Sequence, residues 1–408
     1  MLKLLIFTSL FPNPEQPLRG NFVASLVQEM SKLAEITVVS PLPYFPNIPF
    51  LKTSGGMSNK LSRYNQNWNQ YSKIPFFSQC NGFDVYYPKY PFIPVVSRAI
   101  HPALMTLAVS SLMKRLIKEK SIDIINAHWI YPDGIAAVWI STKLGIPVIV
   151  TAHGSDINIY SSYKLRKPQV RWALKKADRV ITVSNALSEK VVKELNIDRE
   201  NIAVIPNGVD ISKFRSRNKE DVRRLLGLKQ DGRYLLFVGR FHEVKGLEYL
   251  IEALSIFNRR GDLSFETILV GDGPLKDDLL RWVKSNNLSE KIIFTGEKSN
   301  SEIPLWMNAC NILCLPSLQE GNPCVVLEAL ACGLPVIASS VGGIPELINR
   351  ENGILVKPRN PVSLIEAIKS AFEKNWNSDS ISRNIQEFSW TESAQKYLEI
   401  FEEILLKK

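Results

Sequence analysis

The sequence predicts an α/β protein with two doubly wound domains. Apolar runs of strand length alternate with segments of helical period almost from end to end, which is the pattern of βαβ units in parallel sheets. The series pauses at residues 205–210, where Pro206, Asn207 and Gly208 provide the turn residues of a linker, and then starts again. The 408 residues suffice for about two to three domains. A composition of 45% hydrophobic and 22% charged residues, without repeats, excludes disordered, collagen-like and coiled-coil proteins.

The first series occupies residues 1–204. Its predicted strands are residues 4–8, 36–39, 83–87, 122–127, 148–151 and 179–183. The first run resembles the apolar part of a signal peptide, but Pro12 and Pro14 follow at once and no cleavage site of small residues is present, so we expect a buried strand. Residues 41–80 are rich in Pro, Asn, Gln, Ser and aromatic residues, and they predict a long surface excursion.

The second series occupies residues 205–390. Its predicted strands are residues 234–238, 267–270, 291–295, 312–315 and 335–338. We expect a final helix, residues 391–406, to return to the first domain. Ligands of open parallel sheets gather at the carboxyl ends of the strands, so two such domains predict a cleft with a substrate on each wall. The motifs that carry chemistry should then come just after strands, and they do.

The net charge of +10 is concentrated in the first half of the chain. Residues 1–200 carry +11 and residues 201–408 carry −1. Two basic clusters, at 114–120 and 164–179, account for much of the excess. Such clusters suit an anionic membrane surface, a nucleic acid or an anionic substrate, and they are equally compatible with solvated helix faces.

The five cysteines are sparse and odd in number, which fits a reducing cytosol. Cys310 and Cys314 lack the second Cys or His pair of a zinc site, so we expect them to be core residues and expect no metal. No apolar run approaches the roughly 20 residues that span a bilayer. The sequence therefore predicts a cytoplasmic protein that is not an integral membrane protein.

A basic loop follows the strand that ends at Val238. Gly239 permits close approach of a backbone, and Arg240 and Lys245 place two cations beside the start of a helix. This arrangement suits a diphosphate. Cations of an ordinary surface loop would give the same pattern.

Two glutamates follow the strand that ends at Leu315. Glu320 lies at the expected mouth of a helix, and Glu328 lies about two turns deeper. Backbone amides from Gly321 and Asn322 onward add the positive end of that helix. Carboxylates accept hydrogen bonds from sugar hydroxyls, and Glu328 would be costly to bury among apolar neighbours without such a partner. Glu320 has a second interpretation, as a charge that merely favours the helix dipole.

Three further positions are candidates for ligand contact. Gly271 begins a Gly-Asp-Gly stretch that resembles a dinucleotide fingerprint but lacks the third glycine, so it either admits a nucleotide or makes a tight turn. His128 and His153 follow predicted strands and are either cleft residues or structural ones, and the adjacent Gly154 favours His153 as the cleft residue. Gly20 either offers backbone amides to a substrate or simply begins the first helix.

Together these motifs resemble the retaining nucleotide-sugar glycosyltransferases of family 4, across nearly the whole chain. The most specific part is the Glu-x7-Glu pair of Glu320 and Glu328, followed by ALACGLPVIA at 329–338 and GGIPE at 342–346. The basic loop at 239–246 completes the pattern. The resemblance implies the GT-B fold, in which two Rossmann-like domains face each other across a cleft. It points in particular to enzymes of cell-surface polysaccharide assembly, including the teichuronic acid type.

The resemblance also implies roles for individual residues. Arg240 and Lys245 would bind the donor diphosphate without a metal ion or other cofactor. Glu320 and His153 would hold the donor sugar, and Glu328 would hold the ribose. The catalytic set is Glu320, His153, Arg240 and Lys245, and the donor-binding set is Gly20, Gly239, Arg240, Lys245, Gly271, Glu320, Gly321, Asn322 and Glu328. Transfer would retain the anomeric configuration by a same-face displacement assisted by the leaving phosphate, which these cations and helix amides can stabilise.

The implied partners are a nucleotide-sugar donor and a glycan or lipid-linked acceptor bound by the basic first domain. Because family members of this type act at the inner membrane face, the resemblance also implies peripheral contact of the basic first domain with anionic lipid there. Asn322 and Pro323 depart from the aromatic and small residues that many family members carry there, so the sugar stays open. Two alternatives are weaker. The Glu-x7-Glu context disfavours a nucleotide-sugar epimerase. No recognition helix, zinc finger or aromatic-studded sheet supports a nucleic-acid-binding protein, and we predict no nucleic-acid partner.

Overall fold

The computed structural model describes residues 1–44, 71–80, 82–92 and 97–407. The chain divides into two compact units, Met1–Ile205 together with Ser393–Lys408, and Pro206–Glu392. The boundary expected from the sequence lies one residue earlier, between 204 and 205. No helix of the described residues is both long enough and apolar enough to cross a bilayer.

The strands of the first unit form an eight-stranded sheet and a separate two-stranded pair. They are β1 (Leu2–Phe7), β2 (Ala34–Val39), β3 (Leu42–Tyr44), β4 (Phe77–Cys80), β5 (Phe83–Tyr86), β6 (Lys89–Pro91), β7 (Ile124–His128), β8 (Val148–Ala152), β9 (Arg179–Thr182) and β10 (Ile202–Val204). The sheet order is β10-β9-β8-β7-β1-β2-β5-β4, and only β4 and β5 are antiparallel neighbours. The short strands β3 and β4 fall within the segment 41–80, which the sequence predicted as a surface excursion. Residues 45–70 of that segment lie outside the described residues.

The helices of the first unit connect these strands. The α-helices whose full bounds lie within the described residues are α1 (Asn21–Met30), α2 (His101–Glu119), α3 (Ile135–Leu144), α4 (Ser155–Asn158), α5 (Lys167–Lys176) and α6 (Asn185–Leu195). Local sequence sets their ends: the hydroxyl of Ser184 accepts the amide of Leu187 at the start of α6, and Asn196 in a left-handed conformation ends it. The order of the sheet reverses between β1 and β7, which is where ligands of such sheets bind.

The strands of the second unit form a six-stranded sheet in which all neighbours are parallel. They are β11 (Tyr234–Val238), β12 (Glu266–Val270), β13 (Ile292–Gly296), β14 (Ile312–Leu315), β15 (Val336–Ser339) and β16 (Gly353–Val356). The order is β13-β12-β11-β14-β15-β16. The chain runs outward from β11 to β13 and then crosses to β14, so the order reverses between β11 and β14. The carboxyl ends of these two strands are therefore the expected ligand position in this unit.

Helices cover this sheet with their apolar faces. They are α7 (Lys219–Leu226), α8 (Leu247–Arg259), α9 (Lys276–Ser285), α10 (Ile303–Ala309), α11 (Cys324–Ala331), α12 (Pro361–Glu373) and α13 (Ser378–Arg383). In α8, for example, Leu250, Ile251 and Leu254 are buried while Glu248 and Glu252 face solvent, the spacing of an amphipathic helix.

The last helix of the chain, α14 (Trp390–Leu406), lies mostly within the first unit, to which residues 393–408 belong. Its Tyr397 hydroxyl donates to Oγ1 of Thr151 at 3.4 Å. The Tyr397 ring is stacked on the ring of His128, with centroids 6.2 Å apart. The helix thereby contacts the carboxyl ends of β7 and β8.

Candidate functional site

The loops after β11 and β14 touch each other at the point where the strand order of the second unit reverses. The amide of Leu318 donates to the carbonyl oxygen of Val244 at 2.7 Å. Gly246 has a φ of +64°, and a Cβ there would lie 2.1 Å from the carbonyl oxygen of Pro316. Because glycine alone combines this backbone angle with so close an approach, Gly246 allows the two loops to meet.

This contact brings Lys245 to Glu320. Nζ of Lys245 donates to Oε1 of Glu320 at 2.6 Å, and the hydroxyl of Ser317 donates to the same oxygen at 2.6 Å. The Glu320 side chain is 10% exposed and that of Lys245 is 22% exposed, so the ion pair is largely withdrawn from water. The sequence prediction did not include Ser317. Its place directly after a strand, where the other motifs lie, is the signal that could have identified it.

The second carboxylate oxygen of Glu320 is open. Oε2 has no hydrogen-bond partner among the residues that the structure describes. The backbone is fixed by the loop after β15: the amide of Gly343 donates to the carbonyl of Gly321 at 2.8 Å, and a Cβ at Gly342 would lie 2.0 Å from the carbonyl oxygen of Glu320. Glu320 is therefore a rigidly held carboxylate with one oxygen free to accept a hydrogen bond from a ligand.

Glu320 lies in a loop and not at the mouth of the helix. The helix α11 begins at Cys324, after the cap residue Pro323. Because the helix dipole acts within about the first turn, a carboxylate engaged by Lys245 and four positions before the helix is poorly placed to serve it. The structure therefore disfavours the interpretation of Glu320 as a charge that only stabilises the helix.

Arg240 is exposed and unpaired. It follows Gly239, whose amide donates to the carbonyl of Val270 at 3.0 Å. Within the described part of the chain its guanidinium has neither a hydrogen bond nor an ion pair. Gly271, after β12, lies against this loop, and a Cβ there would be 2.0 Å from the carbonyl oxygen of Gly239. Loop contact alone accounts for Gly271, and its approach to a nucleotide stays a prediction.

Glu328 lies on α11 with its side chain only partly exposed. Burial raises the pKa of its carboxyl to about 7. The carboxylate has no hydrogen-bond partner among the described residues. A ligand hydroxyl that donates to Glu328 would favour its charged form, so the site can gain binding energy by relieving this unpaired acid.

Asn322 has a structural partner. The side chain is 5% exposed, and its Oδ1 accepts the amide of Asn207 at 3.2 Å. Its carbonyl oxygen accepts Nδ2 of Asn207 at 2.7 Å. These bonds tie the start of the second unit to the loop after β14. A contact between Asn322 and the donor stays a prediction.

In the first unit, His153 pairs with His128. Nδ1 of His128 and Nε2 of His153 lie 3.0 Å apart, with the rings stacked. Burial lowers the pKa of His153 to about 3 and lowers that of His128 as well. Both rings are therefore neutral near pH 7, and one donates to the other. Nδ1 of His153 and Nε2 of His128 are both buried without a hydrogen-bond partner among the described residues. A contact between His153 and the donor sugar stays a prediction.

Backbone contacts fix the loops around this histidine pair. The carboxylate of Asp156 accepts the amides of His153 at 3.1 Å and Gly154 at 2.8 Å. Gly20 is the cap residue of α1, with a φ of +64°, and a Cβ there would lie 2.2 Å from the carbonyl oxygen of Leu10. These constraints account for Gly20 as a helix start, and its contact with phosphates stays a prediction.

A buried acid that the sequence prediction missed joins the loops after β1 and β7. Oδ2 of Asp133 accepts the amide and the hydroxyl of Ser9 at 2.7 and 2.8 Å. Nε of Arg19 donates to the carbonyl oxygen of Ser9 at 2.8 Å. Burial raises the pKa of Asp133 to about 7. An acid flanked by the apolar and small residues of Ile130–Gly134 is the sequence signal that could have identified it.

The basic cluster at 164–179 is divided between surface and interior. Its exposed cations are Lys164, Lys167, Arg171, Lys175 and Lys176. Arg166, in contrast, is 8% exposed, with its guanidinium 4.3 Å from the Tyr163 ring and 5.2 Å from the rings of Tyr131 and Tyr160. Arg166 is therefore unavailable to a membrane surface, and the exposed cations remain candidates.

The combined chemistry of the second unit is that of a site for an anion bearing hydroxyl groups. Arg240 and Lys245 supply positive charge, and Glu320 and Glu328 supply acceptors. Among the described residues, no group of three or more His, Cys, Asp and Glu side chains could hold a metal ion.

Two family models match the chain. The model of the Glycosyl transferases group 1 matches residues 218–388, and that of Glycosyltransferase Family 4 matches residues 72–213. A Bacillus subtilis (strain 168) glycosyltransferase named for teichuronic acid biosynthesis is 31% identical over 385 residues, covering 93% of this chain and 91% of its own length. The Escherichia coli UDP-Gal:alpha-D-GlcNAc-diphosphoundecaprenol alpha-1,3-galactosyltransferase is 34% identical over 289 residues, covering 68% of this chain and 73% of its own length.

Solved structures share the fold. Sucrose-phosphate synthase from Thermosynechococcus elongatus aligns with a TM-score of 0.78 at 19% identity, over 100% of both chains. The Anabaena protein HepE in complex with UDP aligns with a TM-score of 0.72 at 20% identity, over 99% of this chain and 100% of its own.

Proposed function

Because the chain belongs to family 4 of the glycosyltransferases and has their GT-B fold, we propose that it transfers a sugar from a nucleotide diphosphate to a glycan or lipid-linked acceptor, with retention of anomeric configuration. The enzyme class follows from the family, whereas the donor, the acceptor and the stereochemistry are the content of the proposal. None of the relatives and structures named above is an epimerase.

The observation that carries the proposal is the ion pair of Lys245 and Glu320 where the strand order reverses. One carboxylate oxygen is occupied by Lys245 and Ser317, and the other is open. An ammonium group has three N–H donors, so Lys245 retains two for phosphate oxygens while it holds Glu320 in place. A held carboxylate beside a partly free ammonium suits a ligand with hydroxyls next to a diphosphate.

The proposed reaction uses these groups in order. The diphosphate binds Arg240 and Lys245, a sugar hydroxyl donates to Oε2 of Glu320, and the ribose donates to Glu328. As the bond from the anomeric carbon to the leaving phosphate oxygen breaks, the two cations stabilise the charge on the diphosphate. The acceptor oxygen forms the new bond on the same face, and its proton passes to the leaving phosphate. In this proposal the cations serve where a metal ion would otherwise act.

The names of two relatives support the proposed acceptor. One is named for teichuronic acid biosynthesis, and another is named for a sugar carried on diphosphoundecaprenol. Both names support an acceptor in cell-surface polysaccharide assembly, either a glycan or a lipid-linked saccharide.

The donor proposal is tested by nucleotide binding. In a thermal-shift measurement with UDP, GDP, ADP, CMP and their sugar conjugates, we expect one nucleotide diphosphate or its sugar conjugate to stabilise the protein, equally with and without a chelator. The affinity for the sugar conjugate, whose diphosphate has no group that titrates in this range, should rise between about pH 6 and pH 8, because Glu328 with a pKa of about 7 becomes the better acceptor when charged. In Glu328→Gln this rise should be absent. If no nucleotide shifts the melting temperature, the donor proposal is contradicted. Retention is tested separately, by the anomeric configuration of the product.

We also propose that the first unit docks on the inner face of an anionic membrane. Exposed cations, including Lys164 and Lys167, surround Leu165, which is 72% exposed. Nε2 of Gln169 donates to the carbonyl of Ala99 at 3.0 Å, which places this stretch near Ile100, itself 56% exposed. Cations beside exposed apolar side chains suit a surface of anionic head groups over hydrocarbon.

This docking is tested by co-sedimentation with vesicles that contain phosphatidylglycerol. We expect Lys164→Gln/Leu165→Ser/Lys167→Gln to bind the vesicles at least about thirtyfold more weakly, since each of the two cations contributes about 1 kcal/mol and Leu165 adds apolar contact. Leu225→Ser is the matched control, because Leu225 is 70% exposed on the second unit. Equal binding by wild type and the triple variant would show that this stretch is an ordinary solvated surface.

A further inference from the structure

A cavity of about 370 Å³ lies at the amino-terminal edge of the six-stranded sheet. Its walls include Asn311 and Ile312 at the start of β14, and Leu334 and Pro335 just before β15. The proposed donor site is formed by residues that follow strands, whereas this cavity is formed by residues that precede them. The cavity and the proposed donor site therefore lie at opposite ends of the same strands.

The charges that line the cavity are all positive. Arg217, Lys219 and Lys374 line it, and no Asp or Glu does. None of the three forms an ion pair within the described residues. Nζ of Lys374 lies 4.0 Å from the Trp376 ring and donates to the backbone carbonyl of Arg350, which is a neutral acceptor. Among the described residues, no carboxylate forms an ion pair with any of these three cations.

A fourth cation lies buried behind the cavity wall. Arg223 is 4% exposed, and its guanidinium donates to the carbonyl of Ala309 at 2.9 Å and to Oδ1 of Asn311 at 3.1 Å. These partners are neutral, so the charge of Arg223 adds to the field in the cavity. Burial lowers the pKa of Lys219, and the proximity of Arg223 lowers it further.

The rest of the wall indicates the kind of anion. Cys310 and Cys332 line the cavity, but burial raises the pKa of both thiols to about 12, so they are uncharged and are not prepared to bind a metal ion. Trp376 and Phe372 add aromatic surface. The volume lies within the roughly 300 to 1,000 Å³ of small-molecule sites. A phosphate group attached to a ring matches both the charge and this surface.

We propose that this cavity is a second anion site, which binds a small phosphate monoester of the size of a sugar phosphate or a nucleoside monophosphate. The phosphate contacts Arg217, Lys219 and Lys374, and the ring of the ligand lies against Trp376. The inference stands on the cavity alone and does not depend on the proposed sugar transfer.

The test is isothermal titration of the full chain with inorganic phosphate, glucose 6-phosphate and UMP, each in the presence of a saturating concentration of the nucleotide diphosphate that the thermal-shift measurement identifies, so that the donor site is occupied. We expect binding of at least one phosphate monoester and a loss of at least about tenfold in affinity in Arg217→Gln/Lys219→Gln/Lys374→Gln. The matched control, Lys229→Gln/Arg260→Gln/Lys284→Gln, removes three exposed cations from the same unit and should bind like wild type. A higher affinity for glucose 6-phosphate than for UMP, or the reverse, shows whether the cavity accepts a sugar phosphate or a nucleoside monophosphate.

Two results would overturn the inference. One is the absence of binding by every probe at millimolar concentration, and the other is equal affinity in the two triple variants. Nucleotide binding in the absence of the phosphate probes separates this outcome from the donor proposal. The cavity variant should retain wild-type affinity for the nucleotide diphosphate that the thermal-shift measurement identifies, whereas a failure of wild type to bind any nucleotide diphosphate concerns only the donor site.

Discussion

Glu320→Gln is expected to lower kcat/KM for sugar transfer by about 10²- to 10³-fold. Glutamine has the same shape and can still accept the hydroxyl of Ser317, but it is neutral. Lys245 then loses the carboxylate that fixes its ammonium at 2.6 Å, and a donor sugar loses a charged acceptor. Because the pair is largely withdrawn from water, solvent replaces neither interaction well.

Glu302→Gln is a closely matched control. Glu302 accepts the hydroxyl of Ser299 at 2.7 Å and lies 3.7 Å from Nζ of Lys298, so it has the same two kinds of partner as Glu320 but outside the site. Initial rates over a range of donor concentrations, which give kcat/KM, and melting temperatures are measured for both variants. A Glu320→Gln enzyme within about twofold of wild type would remove Glu320 from the catalytic set.

A double variant tests whether Lys245 and Glu320 act as one unit. If the ammonium and the carboxylate depend on each other, Lys245→Ala/Glu320→Gln should be hardly slower than the slower single variant. Rate losses that multiply would indicate two independent contacts with the donor, and the ion pair would then have no catalytic consequence.

The strands in the middle of the second sheet could be predicted to the residue. β11 and β14 have the predicted bounds because every residue in them is buried, and a strand buried on both faces is a continuous apolar run. β16 was missed, since Gly353 begins it and its residues are partly exposed at the sheet edge. β4 was missed for the related reason that it is an antiparallel edge strand of alternating exposure.

The sequence predicted which residues of the site follow strands, but it could not predict the contacts between them. The positions after strands identified Arg240, Lys245 and Glu320, because parallel strands bring their carboxyl ends to one edge. Contacts between distant segments could not be predicted: Asn207 and Asn322 are 115 positions apart, and their bond depends on the packing of the whole unit. The second anion site could not be predicted from the sequence for the same reason, because its cations come from segments that share no motif.

Arg240→Ala is expected to weaken the binding of a nucleoside diphosphate by about tenfold to a hundredfold, and to lower kcat/KM by more. The larger effect on rate arises because charge accumulates on the diphosphate as the sugar leaves. Arg240 is exposed and has no partner in the described residues, so its removal should leave the melting temperature unchanged. Lys245→Ala, in contrast, also releases Glu320, and it should disturb the binding of the sugar as well as that of the phosphates.

The decisive measurement compares ligands that differ only in their phosphates. If the thermal-shift measurement identifies UDP as the nucleotide, Arg240→Ala should weaken the binding of UDP strongly, weaken that of UMP less and leave that of uridine unchanged. The reason is that Arg240 contacts the terminal phosphate. Arg240→Lys should fall between wild type and alanine, since lysine keeps the charge but loses the planar fork of donors. Arg260→Ala, which removes an exposed arginine at the end of α8, is the control. An equal loss for UDP and uridine would place Arg240 at the base instead of the diphosphate, and the proposed stabilisation of the leaving group would then have to come from Lys245 alone.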